Sequence, residues 1–397
     1  MTARAEEAGT GVLIHSARLV TAGPDGSLRD EPDAWLLLRG GSVQASGNGA
    51  GWRDLVAPGD EVIDAREAAG AGAVLTPGLV DIHTHGGGGH DAAGDAEDVD
   101  AVLAAHARHG VTRVVLSLVS APIARLVAQA DRIGALMPER PGILGVHLEG
   151  PFLDTAHCGA HDPAALQSPT PEALDRLLGT GVVRQMTLAP ELEGGLAAVR
   201  RIVQAGAVAA VGHTDADAGM TRRAIEAGAT LLTHAFNAMP PLHHRAPGPV
   251  GVALADDRMT LEVIADGHHL DPVVVTMLLR AAPGRVALVS DAMAAAAAPD
   301  GTYALGAADV EVRDGVARLR GTEVLAGSTL TLDQAVRNVV GYGVPLATAV
   351  AAATAVPATA IGRPDLGRLG TGDPADVVLW TADLVPQAVW RTGVRTA

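Results

Sequence analysis

The sequence predicts an α/β chain whose middle closes into a (β/α)8 barrel and whose two β-rich ends pair into one accessory domain. Three observations carry this. Between residues 79 and 290, eight short apolar, β-branched runs alternate with segments of helical period. Those runs are almost unbroken in apolar character, as parallel strands covered on the outside must be. The first run ends in His83, without the Gly-X-Gly-X-X-Gly turn that often follows the first strand of an open doubly wound sheet, so a closed barrel fits better.

Taken in order, β-like pieces at 12–20, 34–38, 42–45 and 61–64 are separated by turns at Pro24-Asp25-Gly26, Arg39-Gly40-Gly41 and Pro58-Gly59. They predict a small antiparallel sheet, too short to bury much alone. Barrel strands follow at 79–83, 112–118, 143–149, 184–189, 208–213, 230–234, 261–265 and 286–290. Helices lie between most of them, at 96–108, 123–136, 171–178, 196–205, 216–227 and 272–281. Beyond Gly362 the turns return at Gly367, Gly370-Thr371-Gly372 and Asp373-Pro374, and strands at 376–380 and 388–395 complete the accessory sheet. The expected division is 1–75 and 363–397 for the accessory domain and 76–362 for the barrel.

Composition narrows the function. A chain of 397 residues, 48% of them hydrophobic, buries a large core. Its net charge of -16 and the lack of a basic run count against nucleic acid as a partner. No apolar run reaches the ~18 residues that a membrane span needs. Residues 1–9 carry Glu6 and Glu7 and no apolar segment, which argues against a signal peptide. The single cysteine, Cys158, precludes an internal disulfide, so the expected location is the reducing cytoplasm. All 29 basic residues are arginine. Schiff-base catalysis, a P-loop lysine and a carbamylated-lysine metal bridge are therefore excluded, and any anion bridging two ions has to be Asp or Glu.

Chemistry in such a barrel gathers at the C-terminal ends of the strands. The first strand runs through Pro77-Gly78-Leu79-Val80-Asp81-Ile82 into His83-Thr84-His85-Gly86, and alternate residues of a strand share a face, so both imidazoles project to one side. Later strand ends carry Glu149 in Gly145-Val146-His147-Leu148-Glu149-Gly150-Pro151, His213 in Val211-Gly212-His213-Thr214-Asp215, His234 in Thr233-His234-Ala235, and Asp291 in Val289-Ser290-Asp291-Ala292-Met293. One such residue could merely cap a strand. Six from five strands converge as a metal centre, because buried charge without a partner is rare. Four imidazoles and two carboxylates suit a divalent ion, Zn2+ foremost and Fe2+ as the other candidate, one or two per subunit. Such an ion lowers the pKa of water towards about 7 and polarises a carbonyl, which is hydrolytic chemistry. Asp291 is placed to take the water's proton and hand it to the leaving group.

These motifs resemble the amidohydrolase superfamily and, within it, the N-acetylglucosamine-6-phosphate deacetylases. The match runs from Pro77-Gly78 through Leu325-Ala326-Gly327-Ser328. Its most specific pieces are His147-Leu148-Glu149-Gly150-Pro151-Phe152, Gly212-His213-Thr214, residues 234–239 followed by Arg245-Ala246-Pro247-Gly248, Ala265-Asp266-Gly267-His268-His269, and Ser290-Asp291-Ala292-Met293. The resemblance implies a TIM barrel with a β-sandwich made from both termini, a homodimer, and hydrolysis of N-acetyl-D-glucosamine 6-phosphate in amino-sugar catabolism and cell-wall recycling. It implies that Glu149, His213 and His234 hold the principal metal and that Asp291 is the catalytic acid/base. Some members replace the first histidine of the His-X-His pair and keep one metal; the pair His83 and His85 is intact here, so the resemblance leaves room for a second ion bridged by Glu149, one or two ions per subunit both being compatible with it. Substrate contacts are implied for Ala160, His161, Asn237, Ala238, Arg245, His269, Leu325, Ala326 and Gly327, with Arg245 reaching into the neighbouring subunit's site. A sugar phosphate on so acidic a protein needs a guanidinium and an imidazole placed locally. His161 is expected to help stabilise the oxyanion, and His243, His244 and His268 read as solvated loop residues.

One departure falls in the loop after strand three. Members often carry Lys-Gly before the final Ala/Thr-His, whereas this chain has His157-Cys158-Gly159-Ala160-His161. The thiol reads as a tolerated small residue. Cys158→Ser is expected to keep most activity, and a fall in kcat of about a hundredfold in steady-state assay would show otherwise. Three other readings bear on the outcome: the galactosamine epimer as substrate, a cyclic-amide or nucleobase hydrolase of the same superfamily, and a silent sugar-phosphate-binding or metal-storage protein. Arg245 and the lack of lysine count against the second, the full ligand set and Asp291 against the third.

Overall fold

Eight parallel strands follow one another around the barrel in chain order: Leu79–Thr84, Val111–Val119, Ile143–Glu149, Val183–Leu188, Val208–Val211, Leu231–Leu232, Thr260–Val263 and Val286–Leu288. The computed structural model describes residues 10–397; residues 1–9, considered above for a signal peptide, lie outside the described residues. Every residue of the first and third strands is buried, which is why their sequences lack a polar alternation. The last strand meets the first through the segment beyond it. Asp291 N–H donates to the His83 carbonyl at 2.9 Å, and His85 N–H donates to the Ala292 carbonyl at 2.7 Å.

The expected helices form at Ala96–Arg108, Ile123–Leu136, Pro171–Leu178, Gly195–Gln204, Ala218–Glu226 and Pro272–Ala281. Their starts are written locally. Asp95 accepts from the backbone N–H groups of Glu97 and Asp98, Asp217 from that of Met220, and Asp271 from that of Val273, with Pro272 at the first helical position. A further helix, Gly248–Ala255, fills the gap between strands six and seven. Its residues are apolar on all sides and include two glycines, so no amphipathic period announces it.

The chain ends join in one continuous eight-stranded sheet with its own core, in which Leu19, Leu36, Leu75, Leu379 and Trp390 are buried. Val74–Pro77 runs antiparallel to Val377–Trp380, which is the junction of the two ends. The sheet is mixed where an antiparallel one was expected. Val12–Ala22 pairs in parallel with Glu61–Asp64 and with Val74–Pro77, because the links preceding those strands are crossovers and not hairpins. Buried Arg113, on the second barrel strand, fastens the sheet to the barrel: its Nε donates to Asp376 Oδ2 at 2.6 Å.

After the eighth strand comes an antiparallel insert, Gly301–Leu305, Ala308–Arg313 and Val316–Leu319, that the sequence reading left unassigned. Helices Leu332–Gly341, Leu346–Ala352 and Ala355–Ala360 then lead back to the terminal sheet. Among the described residues no helix is long and apolar enough to cross a membrane.

Candidate active site

Side chains from five strand ends meet around Glu149 at the C-terminal mouth. Glu149 Oε1 lies 3.1 Å from His213 Nε2 and 3.0 Å from His234 Nε2, and those nitrogens are 3.0 Å apart. Its other oxygen, Oε2, is 3.1 Å from His85 Nε2. His83 Nε2 stands 3.2 Å from His85 Nε2 and 3.5 Å from Glu149 Oε1, and Asp291 Oδ1 is 3.3 Å from His85 and 3.4 Å from His83. All six residues singled out in the sequence are therefore together; five of them form two donor sets that share one carboxylate, Glu149, His213 and His234, and His83, His85 and Glu149, and Asp291 stands beside the second set without belonging to either. Ligands bonded to one tetrahedral ion at about 2.0–2.1 Å stand about 3.3 Å apart. Both sets fit a divalent cation on that measure.

The backbone is bent to aim these groups. His213, His234 and Asp291 take φ values of 47°, 27° and 47°, the left-handed region that side chains with a Cβ avoid. Strain of this kind costs about 1–3 kcal/mol per residue and gathers at functional sites. Two glycines let the ligand strands turn away. Gly150, directly after Glu149, has φ 89° and leaves no space for a Cβ beside Ser120 Oγ, while a Cβ on Gly86, directly after His85, would strike the His90 carbonyl.

Support comes from beneath. His213 Nδ1 donates to the His157 carbonyl at 2.8 Å, and His83 Nδ1 to Glu262 Oε2 at 2.9 Å. His147, quoted above only as part of a motif, lies edge-on to His83 with its nitrogens 2.9 Å from Ser117 Oγ and 2.8 Å from Thr187 Oγ1. Burial drives its pKa well below the usual imidazole value, so it stays neutral. Sequence reasoning missed Glu262. Its signal was a lone carboxylate in the apolar strand Leu261-Glu262-Val263-Ile264.

A cavity of about 500 Å³ opens above the cluster. Of the predicted substrate contacts, Ala160, His161, Asn237, Ala238, His269, Leu325 and Gly327 line it, together with Cys158 and the apolar Val119, Leu305 and Val324. Ala326 is fully buried beside the wall. Arg245 is exposed outside its own chain's cavity, and His243, His244 and His268 are exposed as expected. The Ser120 N–H donates to His161 Nδ1 at 3.2 Å, which places the His161 proton on Nε2, 3.3 Å from Glu149 Oε2. Burial lowers the His161 pKa to about 4, leaving a neutral donor. His269 differs: burial opposes its charge, yet Asp266, 2.7 Å from Nδ1, raises its pKa above the ordinary value.

The cluster draws in positive charge. Burial works against protonating His85, but Asp291 and Glu149 hold its pKa at about 9. Burial likewise opposes ionisation of Asp291, and His83 and His85 bring its pKa down to about 2. A divalent ion answers the same demand by displacing imidazole protons.

The description of the Amidohydrolase family matches residues 74–395. The chain belongs to the amidohydrolase family. Among its relatives, the N-acetylgalactosamine-6-phosphate deacetylase of Escherichia coli O157:H7 is 41% identical over 329 residues, spanning 81% of this chain and 87% of that protein. The N-acetylglucosamine-6-phosphate deacetylase of Homo sapiens is 37% identical over 350 residues, spanning 84% of this chain and 85% of that one. A solved structure of an N-acetyl-D-glucosamine-6-phosphate deacetylase variant from Mycobacterium smegmatis, in complex with N-acetyl-D-glucosamine-6-phosphate, is 38% identical with a TM-score of 0.90, covering 98% of this chain and all of that one. In this amidohydrolase the donor sets around Glu149 are positioned for a divalent metal ion.

Proposed function

We propose that this amidohydrolase hydrolyses N-acetyl-D-glucosamine 6-phosphate to D-glucosamine 6-phosphate and acetate, in amino-sugar catabolism and cell-wall recycling. The observation that carries the reading is Glu149 shared between two imidazole pairs, with Asp291 beside it, at the floor of a cavity walled by His161 and His269. Glu149, His213 and His234 hold the principal ion, Zn2+ foremost, and His83 and His85 with Glu149 hold a second. When bound, the metal supplies Lewis acidity towards water and the acetyl carbonyl. Asp291 in its ionised form takes the proton of the attacking water and passes it to the amine that leaves. The Nε2–H of His161 faces the developing oxyanion, where a fixed donor is most effective. Asn237, Ala238, Ala160, Leu325, Ala326 and Gly327 shape the sugar's surroundings.

Arg245, exposed in its own chain, reaches the phosphate in the partner's site of a homodimer. The single thiol fits a cytoplasmic enzyme, and the domains divide at 1–75, 76–362 and 363–397. The 41% identity to an N-acetylgalactosamine-6-phosphate deacetylase supports the epimer as a second reading. Acetate release from both N-acetylated sugar phosphates, together with ring opening of an unphosphorylated cyclic amide followed by the loss of its amide absorbance, separates these readings. The expected order in kcat/KM is N-acetyl-D-glucosamine 6-phosphate, then its galactosamine epimer, with no ring opening of the cyclic amide. Metal-loaded protein that frees no acetate from either sugar would favour the silent binding protein.

His269 supplies a pH test. Burial opposes its charge, yet Asp266, with Asp291 adding to the effect, raises its pKa above the ordinary imidazole value, so substrate binding that uses this charge weakens as pH rises through the raised pKa. Asp266→Asn removes the raising charge. The upturn in KM is then expected at lower pH than in wild type; a KM profile that does not move would exclude the charge from binding.

A further inference from the structure

We propose that Glu262 is a positioning residue that builds the second metal half-site from inside the barrel, by fixing which nitrogen of His83 faces the ion. The inference rests on the two-ion reading above. Glu262 lies on the seventh strand, which sends no side chain into the donor sets, and it is completely buried among Leu261, Val263 and Ile264. A carboxylate is costly to bury unless every oxygen is satisfied.

Here both oxygens are. Oε2 accepts the His83 Nδ1–H at 2.9 Å and the backbone N–H of His234 at 3.3 Å, and Oε1 accepts from Gln185 Nε2 at 2.8 Å. A carboxylate only accepts, so His83 must carry a proton on Nδ1, and Nε2, facing Glu149, His85 and Asp291, is the nitrogen left to offer a lone pair once an ion displaces its proton. The other imidazoles are held differently. His213 is held by a main-chain carbonyl, while Nδ1 of His85 and of His234 is buried with no partner among the described residues. His83 is therefore the ligand whose far nitrogen meets a negative charge, the arrangement that most strengthens an imidazole as a donor.

Gln185 completes the device. From the fourth strand its amide steadies the carboxylate, while its own Oε1 is buried without a partner. A chain of hydrogen bonds thus crosses the barrel from strand four through strand seven to the ligand on strand one. Neither Glu262 nor Gln185 lines the cavity, and the chain meets the first donor set at the His234 main-chain N–H, 3.3 Å from Glu262 Oε2, and not at its imidazole. Its loss should weaken the ion at His83 and His85 and spare the ion at His213 and His234.

The test is metal binding. Full-length protein stripped with chelator is titrated with Co2+, followed by its absorption bands, and with Zn2+ against a competing chelator, for wild type, Glu262→Leu, Glu262→Gln and Gln185→Ala. Wild type is expected to take two ions. Glu262→Leu is expected to keep the first and bind the second about 10–100-fold more weakly. Glu262→Gln retains an acceptor for His83 and gains a donor for the free Gln185 Oε1, so its second ion should stay within about tenfold of wild type. If Glu262→Leu does not fold, as judged by its thermal melt, Gln185→Ala decides: it frees the carboxylate without deleting it and should weaken the second ion alone. Unchanged second-ion affinity in the folded variants overturns the inference while leaving the two-ion reading intact. Equal weakening of both ions overturns it as merely structural. Wild type that takes one ion overturns the two-ion reading and this inference with it.

Discussion

Asp291→Asn is expected to lower kcat by about a thousandfold, within the range lost with a general acid/base, while metal content stays as in wild type. The side chain keeps its shape and one oxygen but can no longer take a proton. Metal retention follows from geometry, because Glu149, His213 and His234 form their set without Asp291. With its pKa near 2, Asp291 is ionised across the working pH range and available as a base from the outset. Steady-state acetate release, paired with elemental analysis of the same preparation, is the measurement. Turnover within tenfold of wild type would remove Asp291 from proton transfer.

Glu149→Gln is expected to cost more. Its oxygens face His213 and His234 on one side and His85 and His161 on the other, so one substitution strikes both donor sets. Five imidazoles, of His83, His85, His161, His213 and His234, would be left around a neutral amide. Metal content should fall below one ion per chain and kcat/KM by about four orders of magnitude, equivalent to ~5.5 kcal/mol of transition-state stabilisation. Chelation of wild type should reproduce the loss, and added Zn2+ should restore wild type but not the variant. A Glu149→Gln protein that kept a full metal complement would mean that the cluster is organised around another group.

Much of this was readable from the chain because local signals and global architecture agree. Capping residues such as Asp95, Asp217 and Asp271 mark helix starts, and the unbroken apolar runs mark strands buried on both faces. Ligands at strand ends could be gathered because a parallel barrel brings all those ends to one mouth. Other features depend on tertiary contacts. The left-handed φ values of His213, His234 and Asp291 belong to residue types with no particular need of that region, so no residue code announces them. Glu262 could have been noticed as a charge among aliphatics, but its partner on strand one is 179 residues away in sequence. The insert carried a legible hairpin turn, Asp314-Gly315 between Val312 and Val316, and overlooking it hid the source of Leu305 in the cavity wall.

The join between the barrel's last and first strands has a mechanical consequence. His83 and His85 stand on one side of that join and Asp291 on the other, and Ser290 reaches the His83 carbonyl across 207 positions of chain. A cation seated there works as a rivet through the closing stave of the barrel. Binding it would add free energy to the folded form by mass action, so the protein's resistance to opening would rise with the occupancy of the half-site at His83 and His85.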